Sequence, residues 1–248
     1  MKKYLVLNWK MNPQSLKEAE ELLKIIKNSS PSLKIIVAPP FIYLLKAKEI
    51  LKNKYQLASQ NVFWHNRYSM TGEISPKMLK SMGINYVILG HSERQINLKE
   101  TLSFVNLKIK ACLLNNIIPI VCIGEKERKK GEGISFRIKK IIFDQLNEAF
   151  KGIKLEKKKL IIIAYEPSWA IGKGVSEEPK EVEEMANLIR FWLERRFLNY
   201  NPQSFLVLYG GSVKSSNLKQ FLNLKNIDGV LVGGASTNKK ELKKMLQF

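Results

Sequence analysis

Eight short apolar runs punctuate the chain: YLVLN (4–8), KIIVA (34–38), QLASQN (56–61), YVILG (86–90), PIVCIG (119–124), LIIIAYE (160–166), FLVLYG (205–210) and GVLVGG (229–234). Most are continuously apolar where a half-exposed strand would alternate, the pattern of parallel strands covered on both faces. Helical periodicity fills most of the intervals. Residues 15–27 place Leu16, Ala19, Leu22, Leu23 and Ile26 on one stripe, with Ser15 and Glu18 spaced as a capping box. Residues 180–197 repeat the pattern with Val182, Met185, Ile189, Trp192 and Leu193. Two connections, 62–76 and 165–178, are longer than the loops usual in α/β units, and long loops after strands are where function concentrates.

Eight strand-then-helix units in 248 residues predict an α/β protein with one closed (β/α)8 barrel spanning 1–248. A doubly wound open sheet is the alternative, and it is disfavoured: no GxGxxG follows the first run, and no composition shift or low-complexity linker marks a second domain. In a barrel the active site lies at the C-terminal ends of the strands. Polar residues collect there: Asn8 and Lys10 after the first run, His91 and Glu93 after the fourth, Glu166 at the end of the sixth. Each alone has a duller reading, such as a surface lysine, a structural histidine or a helix-capping acid. Together on one rim they suggest acid/base chemistry. YGGSV (209–213) and VGGAS (232–236) follow the last two strands, where glycine lets backbone N–H groups approach a phosphate closely.

Composition changes this picture little. Apolar residues make up 45%, enough for a large core. The formal charge is +20, but it comes mostly from lysines spread over the polar faces of the helical patterns, without the signature of a nucleic-acid-binding fold. A solvated basic surface is therefore favoured over a protein that is primarily an RNA binder. Cys112 and Cys122 have no CxxC spacing and no nearby histidine, which argues against a disulfide framework or zinc site and for a reducing, cytoplasmic setting. The apolar run after MKK is too short for a signal peptide, and nothing approaches the roughly 20 residues of a membrane span.

NWKMN (8–12), TGEIS (71–75), ILGHSER (88–94), VCIGE (121–125), AYEPSWAIGKG (164–174), YGGSV (209–213) and DGVLVGGAS (228–236) together resemble triosephosphate isomerase, in that family's order and spacing over essentially the whole chain. The resemblance implies a TIM barrel that interconverts dihydroxyacetone phosphate and glyceraldehyde 3-phosphate through an enediol(ate). On these residues it implies Glu166 as the base, His91 as a neutral electrophile, Lys10 and Asn8 as oxyanion stabilisers, and Glu93 as an orienting group. It assigns the phosphate to Gly172, Ser212, Gly233 and Gly234, and residues 167–177 to a lid. No metal or organic cofactor is expected, because the reaction needs only a base, an acid and charge stabilisation. The family is usually a homodimer, which implies that residues 64–78 enter a second subunit, with Thr71 reaching the partner's Asn8 and Lys10 region and Trp64, Tyr68 and Met70 buried in the contact.

The chain departs from the resemblance in places. Lys173 and Val175 replace a threonine and a lysine in the lid, which puts closure in question. Gln95 replaces a second arginine after HSER, with a weakened structural ion pair as the expected cost. Tyr68 and Ser69 precede the TGE tip where small residues are usual. A related barrel acting on another sugar phosphate is a third alternative.

Overall fold

The structure is a computed structural model that describes residues 2–67, 69–128, 133–155, 159–170, 176–197, 201 and 204–248. Eight parallel strands close into a barrel in sequence order: β1 (Tyr4–Asn8), β2 (Lys34–Ala38), β3 (Gln56–Ser59), β4 (Tyr86–Leu89), β5 (Ile118–Ile123), β6 (Ile161–Tyr165), β7 (Phe205–Tyr209) and β8 (Gly229–Val232). Closure is explicit at β1, which pairs Leu5 with Ile35 of β2 and with Val230 of β8. The expected runs coincide with these strands to within two residues. Glu166 lies one residue beyond β6, its N–H donating to the Ile123 carbonyl at 2.7 Å.

The continuous apolarity of the runs has a simple cause. Within each strand, successive side chains point to opposite faces. Tyr4, Val6, Ile36, Ala38, Ala58, Tyr86, Ile88, Ile120, Cys122, Ile162, Ala164, Leu206, Leu208 and Leu231 fill the barrel interior. Their neighbours, such as Leu5, Leu7, Val87, Val121 and Ile163, pack outward against the helices. Both faces exclude water, so neither can be polar.

Among the described residues the outer layer is α1 (Leu16–Lys27), α2 (Leu44–Leu51), α3 (Pro76–Ser81), α4 (Ser92–Asn97), α5 (Leu102–Leu114), α6 (Phe136–Ala149), α7 (Pro179–Arg196), α8 (Leu218–Leu222) and α9 (Lys239–Met245). Ser15 caps α1 by accepting from the Glu18 N–H at 3.3 Å, half of the expected capping box. Of the expected α1 stripe, Ala19, Leu22, Leu23 and Ile26 are buried, but Leu16 is 47% exposed because it lies in the first turn, beyond the barrel contact. The α7 stripe is buried as expected. No described helix is long and apolar enough to cross a membrane.

Candidate active site

The loop after β1 is built to aim Lys10 across the barrel mouth. Asn8, the last residue of β1, is 4% exposed, and its Oδ1 accepts from the Lys10 N–H at 3.1 Å. Gln60 Nε2 donates to the Lys10 carbonyl at 2.9 Å. These bonds hold Lys10 at φ 56°, a left-handed conformation that costs a lysine about 1–2 kcal/mol. The side chain then ion-pairs with Glu93 and passes Gly233, where a Cβ would stand 3.0 Å from Lys10 Cε. Glycine at 233 thus leaves room for the lysine.

His91 is the N-cap of α4. Its Nδ1 accepts from the Glu93 N–H at 3.2 Å, so this nitrogen carries the lone pair and the ring proton sits on Nε2. That N–H faces the Glu166 carboxylate, with Nε2 3.7 Å from Oε2, too long for a direct hydrogen bond.

Glu166 is 1% exposed, and neither carboxylate oxygen has a hydrogen-bond partner among the described residues. An unpaired buried carboxylate is costly unless something occupies the space it faces. Its position depends on two glycines at neighbouring strand ends. A Cβ at Gly124 would sit 1.9 Å from the Glu166 carbonyl oxygen, and one at Gly210 would sit 2.6 Å from Glu166 Cγ. The Cys122 thiol beside it is pushed up, first by burial and then by the Glu166 charge, and stays protonated.

A cavity of about 270 Å³ is lined by Lys10, His91, Ser212, Gly233 and Gly234, with Gly210 and Gly211 beside them. Among the described residues a Cβ at Gly234 would meet nothing within 4 Å, and Gly234 itself lines the cavity. Ser212 Oγ donates to the Ala170 carbonyl at 2.7 Å, joining the β7 loop to the segment after Glu166. Asn8 and Glu93 line a second recess of about 630 Å³ on the other side of Lys10 and His91. Glu166 borders a void of about 10 Å³ with Gly90, Cys122 and Gly124. Lys10, His91, Glu93, Glu166, Asn8, Ser212, Gly233 and Gly234 are therefore on one rim. Gly172, Lys173 and Val175 lie outside the described residues, as does Tyr68. Gln95 donates from Nε2 to the Gly90 carbonyl at 2.6 Å, and Arg94 Nε bonds Glu100 Oε2 at 2.7 Å.

A family model described as triosephosphate isomerase matches residues 3–248. The chain belongs to the triosephosphate isomerase family. Relatives carrying that name include the protein of Caldanaerobacter subterraneus subsp. tengcongensis, 37% identical over 97% of both chains. The Dictyoglomus turgidum protein is 40% identical over 95% of this chain and 94% of its own, and that of Clostridium tetani 37% identical over 97% and 94%.

Around the triosephosphate isomerase site the structure adds a buried network absent from the sequence reading. Arg128, with no exposed side-chain surface, bonds Glu125 Oε1 at 2.9 Å, Glu181 Oε2 at 2.8 Å and the Tyr165 hydroxyl at 3.2 Å, and contacts Glu177. Trp169 Nε1 and the Tyr165 hydroxyl also donate to Glu125, at 3.0 and 3.1 Å. The Glu177 N–H donates to the Tyr209 hydroxyl at 2.9 Å. Burial first, and Glu125 next, push the Tyr165 phenol up, so it remains a donor. VCIGE contains Glu125 and Arg128 follows three residues later, but nothing in that spacing points to Glu177 and Glu181, which lie about fifty residues on.

The proposed dimer loop is also corrected in one detail. Trp64 is only partly exposed, because it stacks on Phe104 at 5.1 Å with 14° between the rings. Met70 and Thr71 are exposed.

Proposed function

We propose that this rim interconverts dihydroxyacetone phosphate and D-glyceraldehyde 3-phosphate, with Glu166 moving the proton between the two carbons and His91 polarising the substrate oxygens. The observation that carries this reading is the pairing itself: a buried carboxylate with two unpartnered oxygens beside an imidazole whose Nε2 holds the proton. A base acts in a dry site because removing water strengthens its interaction with the substrate. When Glu166 takes the proton from one carbon, charge moves onto the carbonyl oxygen. The His91 Nε2–H and the Lys10 ammonium stabilise that oxygen, and a fixed cation is worth far more there than in water. The proton then returns to the adjacent carbon while the hydroxyl proton passes from one substrate oxygen to the other by way of His91 Nε2, so the carboxylate and the neutral imidazole are both regenerated. Asn8 and Glu93 orient Lys10, through the Asn8 Oδ1 bond and the ion pair respectively.

Ser212, Gly233 and Gly234 receive the phosphate in the cavity of about 270 Å³, with Gly172 joining them from outside the described residues. Residues 167–177 serve as the lid, because an exposed enediolate would eliminate phosphate. The whole chain, 1–248, works as one barrel domain, as a homodimer in the cytoplasm. Supporting the dimer, Met11, Met70 and Leu98 are exposed at 83%, 49% and 63%, and such apolar side chains are better covered than wet. In this arrangement Thr71 enters the partner's recess of about 630 Å³ beside Asn8 and Lys10.

The test is a coupled assay with glyceraldehyde 3-phosphate on the protein and on Glu166→Asp. The shortened carboxylate retreats by about one methylene, and a misplacement near 1 Å costs on the order of 10²-fold in turnover with little change in KM. Unimpaired isomerisation by the variant defeats the assignment of the base.

A further inference from the structure

The barrel has a second open end. Opposite the rim that carries Glu166 and His91, its N-terminal mouth opens into a cavity of about 900 Å³ lined by Lys2, Lys34, Lys54 and Lys80, with Tyr4 and Tyr86 among the other walls. Among the described residues no aspartate or glutamate lines it. Lys34 Nζ lies 3.3 Å from the Tyr4 hydroxyl. Lys54 Nζ donates to the Lys27 and Ser29 carbonyls at 2.8 and 2.7 Å, and Lys80 Nζ to Asn85 Oδ1 and the Asn116 carbonyl at 2.9 and 3.0 Å. All these partners are neutral. Lysines elsewhere do find carboxylates, as Lys46 with Glu49 and Lys140 with Asp144 show. Asp228, at the foot of β8, is taken by Arg190 and by the Val207 N–H. The mouth thus gathers four lysines around a concavity that no carboxylate lines among the described residues, a charge distribution that favours an anion.

A second observation points inward. Tyr86 opens β4 with its ring inside the barrel and is 9% exposed. Its hydroxyl has no hydrogen-bond partner among the described residues, and the side chain borders the cavity. Burial raises the phenol to about 12, so it is a hydrogen-bond donor throughout the physiological range.

We propose that this mouth is a binding site for a small molecule carrying linked phosphates, with the ammonium groups of Lys2, Lys34, Lys54 and Lys80 and the Tyr86 hydroxyl as its donors. Several cations around one cavity call for several negative charges, and lysine binds phosphate as a point charge without needing a planar fork. The volume lies within the range of small-molecule sites. A single-stranded nucleic acid would need exposed aromatic faces to stack on, whereas Tyr4 and Tyr86 are 8% and 9% exposed and the half-buried Tyr55 ring already carries Lys54 Nζ at 5.4 Å from its centroid. The site is separate from the isomerase rim and does not depend on that assignment.

The experiment is calorimetric titration of the full-length protein with inorganic tripolyphosphate at physiological salt, alongside isomerase assays. The Lys34→Gln/Lys80→Gln double variant is expected to bind at least about tenfold more weakly, a loss of roughly 1.4 kcal/mol, while isomerisation is unchanged. Tyr86→Phe, which keeps the ring and hence the barrel packing, is expected to bind about threefold more weakly, within the modest net worth of one hydrogen bond. Equal affinities for ATP and tripolyphosphate identify the linear phosphate chain as the group recognised, and tighter ATP binding identifies a nucleotide as its source. Three results overturn the proposal: undiminished affinity in both variants, the same loss in a Lys219→Gln/Lys225→Gln surface control, or tighter competing binding of a single-stranded RNA oligonucleotide.

Discussion

Gly210 shows how much of the site depends on a missing side chain. Its Cβ would stand 2.6 Å from Glu166 Cγ, inside any real carbon–carbon contact, so Gly210→Ala must displace the carboxylate. Because displacement near 1 Å costs on the order of 10²-fold, Gly210→Ala is expected to lower kcat by that order while a circular dichroism melt shows the barrel folded. Lys10→Met removes the cation but keeps the stem past Gly233. Loss of one fixed charge near a developing oxyanion costs about 10²–10³ in kcat, and steady-state kinetics on the purified variant measures it. At the other end of the barrel Tyr86 makes a pH prediction. Its folded phenol is raised to about 12 from an ordinary value of 10, so the neutral form is favoured in the native state. The stability this confers is complete below pH 10 and is lost as pH rises from 10 through 12. Urea unfolding of the wild type is expected to weaken across that window more steeply than that of Tyr86→Phe.

At the scale of elements, β5, β6 and α7 are joined by one guanidinium. Arg128 faces Glu125 beyond β5, Tyr165 at the end of β6, and Glu177 and Glu181 at the start of α7. Replacing it with Met leaves acidic side chains clustered without their cation, and breaking a buried pair from one side costs about 3–5 kcal/mol. Arg128→Met is therefore expected to lower the thermal midpoint, read by scanning calorimetry. Glu177→Gln keeps the packing and the backbone bond to Tyr209, and its effect is expected to be smaller because two carboxylates remain on Arg128. This network was illegible beforehand because its members are distant in sequence and each has an ordinary surface explanation. The strands were legible for the opposite reason: burial on two faces leaves a run of apolar residues that needs no partner to be recognised. Leu16 marks the limit of the helical pattern, since periodicity gives the angle of a residue around its helix but not whether the neighbouring layer reaches that turn.

For the whole molecule, closure of the sheet sets what each rim can do. It brings Lys10 from the first strand beside Gly233 from the last, although more than two hundred residues separate them. The same closure places Lys2, Lys34, Lys54 and Lys80, which come from four different segments, around the opposite mouth. The proposed dimer also belongs to this scale. Met70→Glu on the exposed loop places a charge where the partner would cover it, and sedimentation velocity is expected to show a shift toward monomer at micromolar concentration.

The sequence by itself marked out the eight strands and the polar residues that follow them, because two-sided burial and motif spacing are local properties written into consecutive residues. The tertiary structure alone decided the rest: the facing of His91 and Glu166, the glycines that make room for that carboxylate, the Arg128 junction and the lysine-lined mouth. Each depends on distances between segments far apart in the chain, and those distances exist only once the sheet has closed.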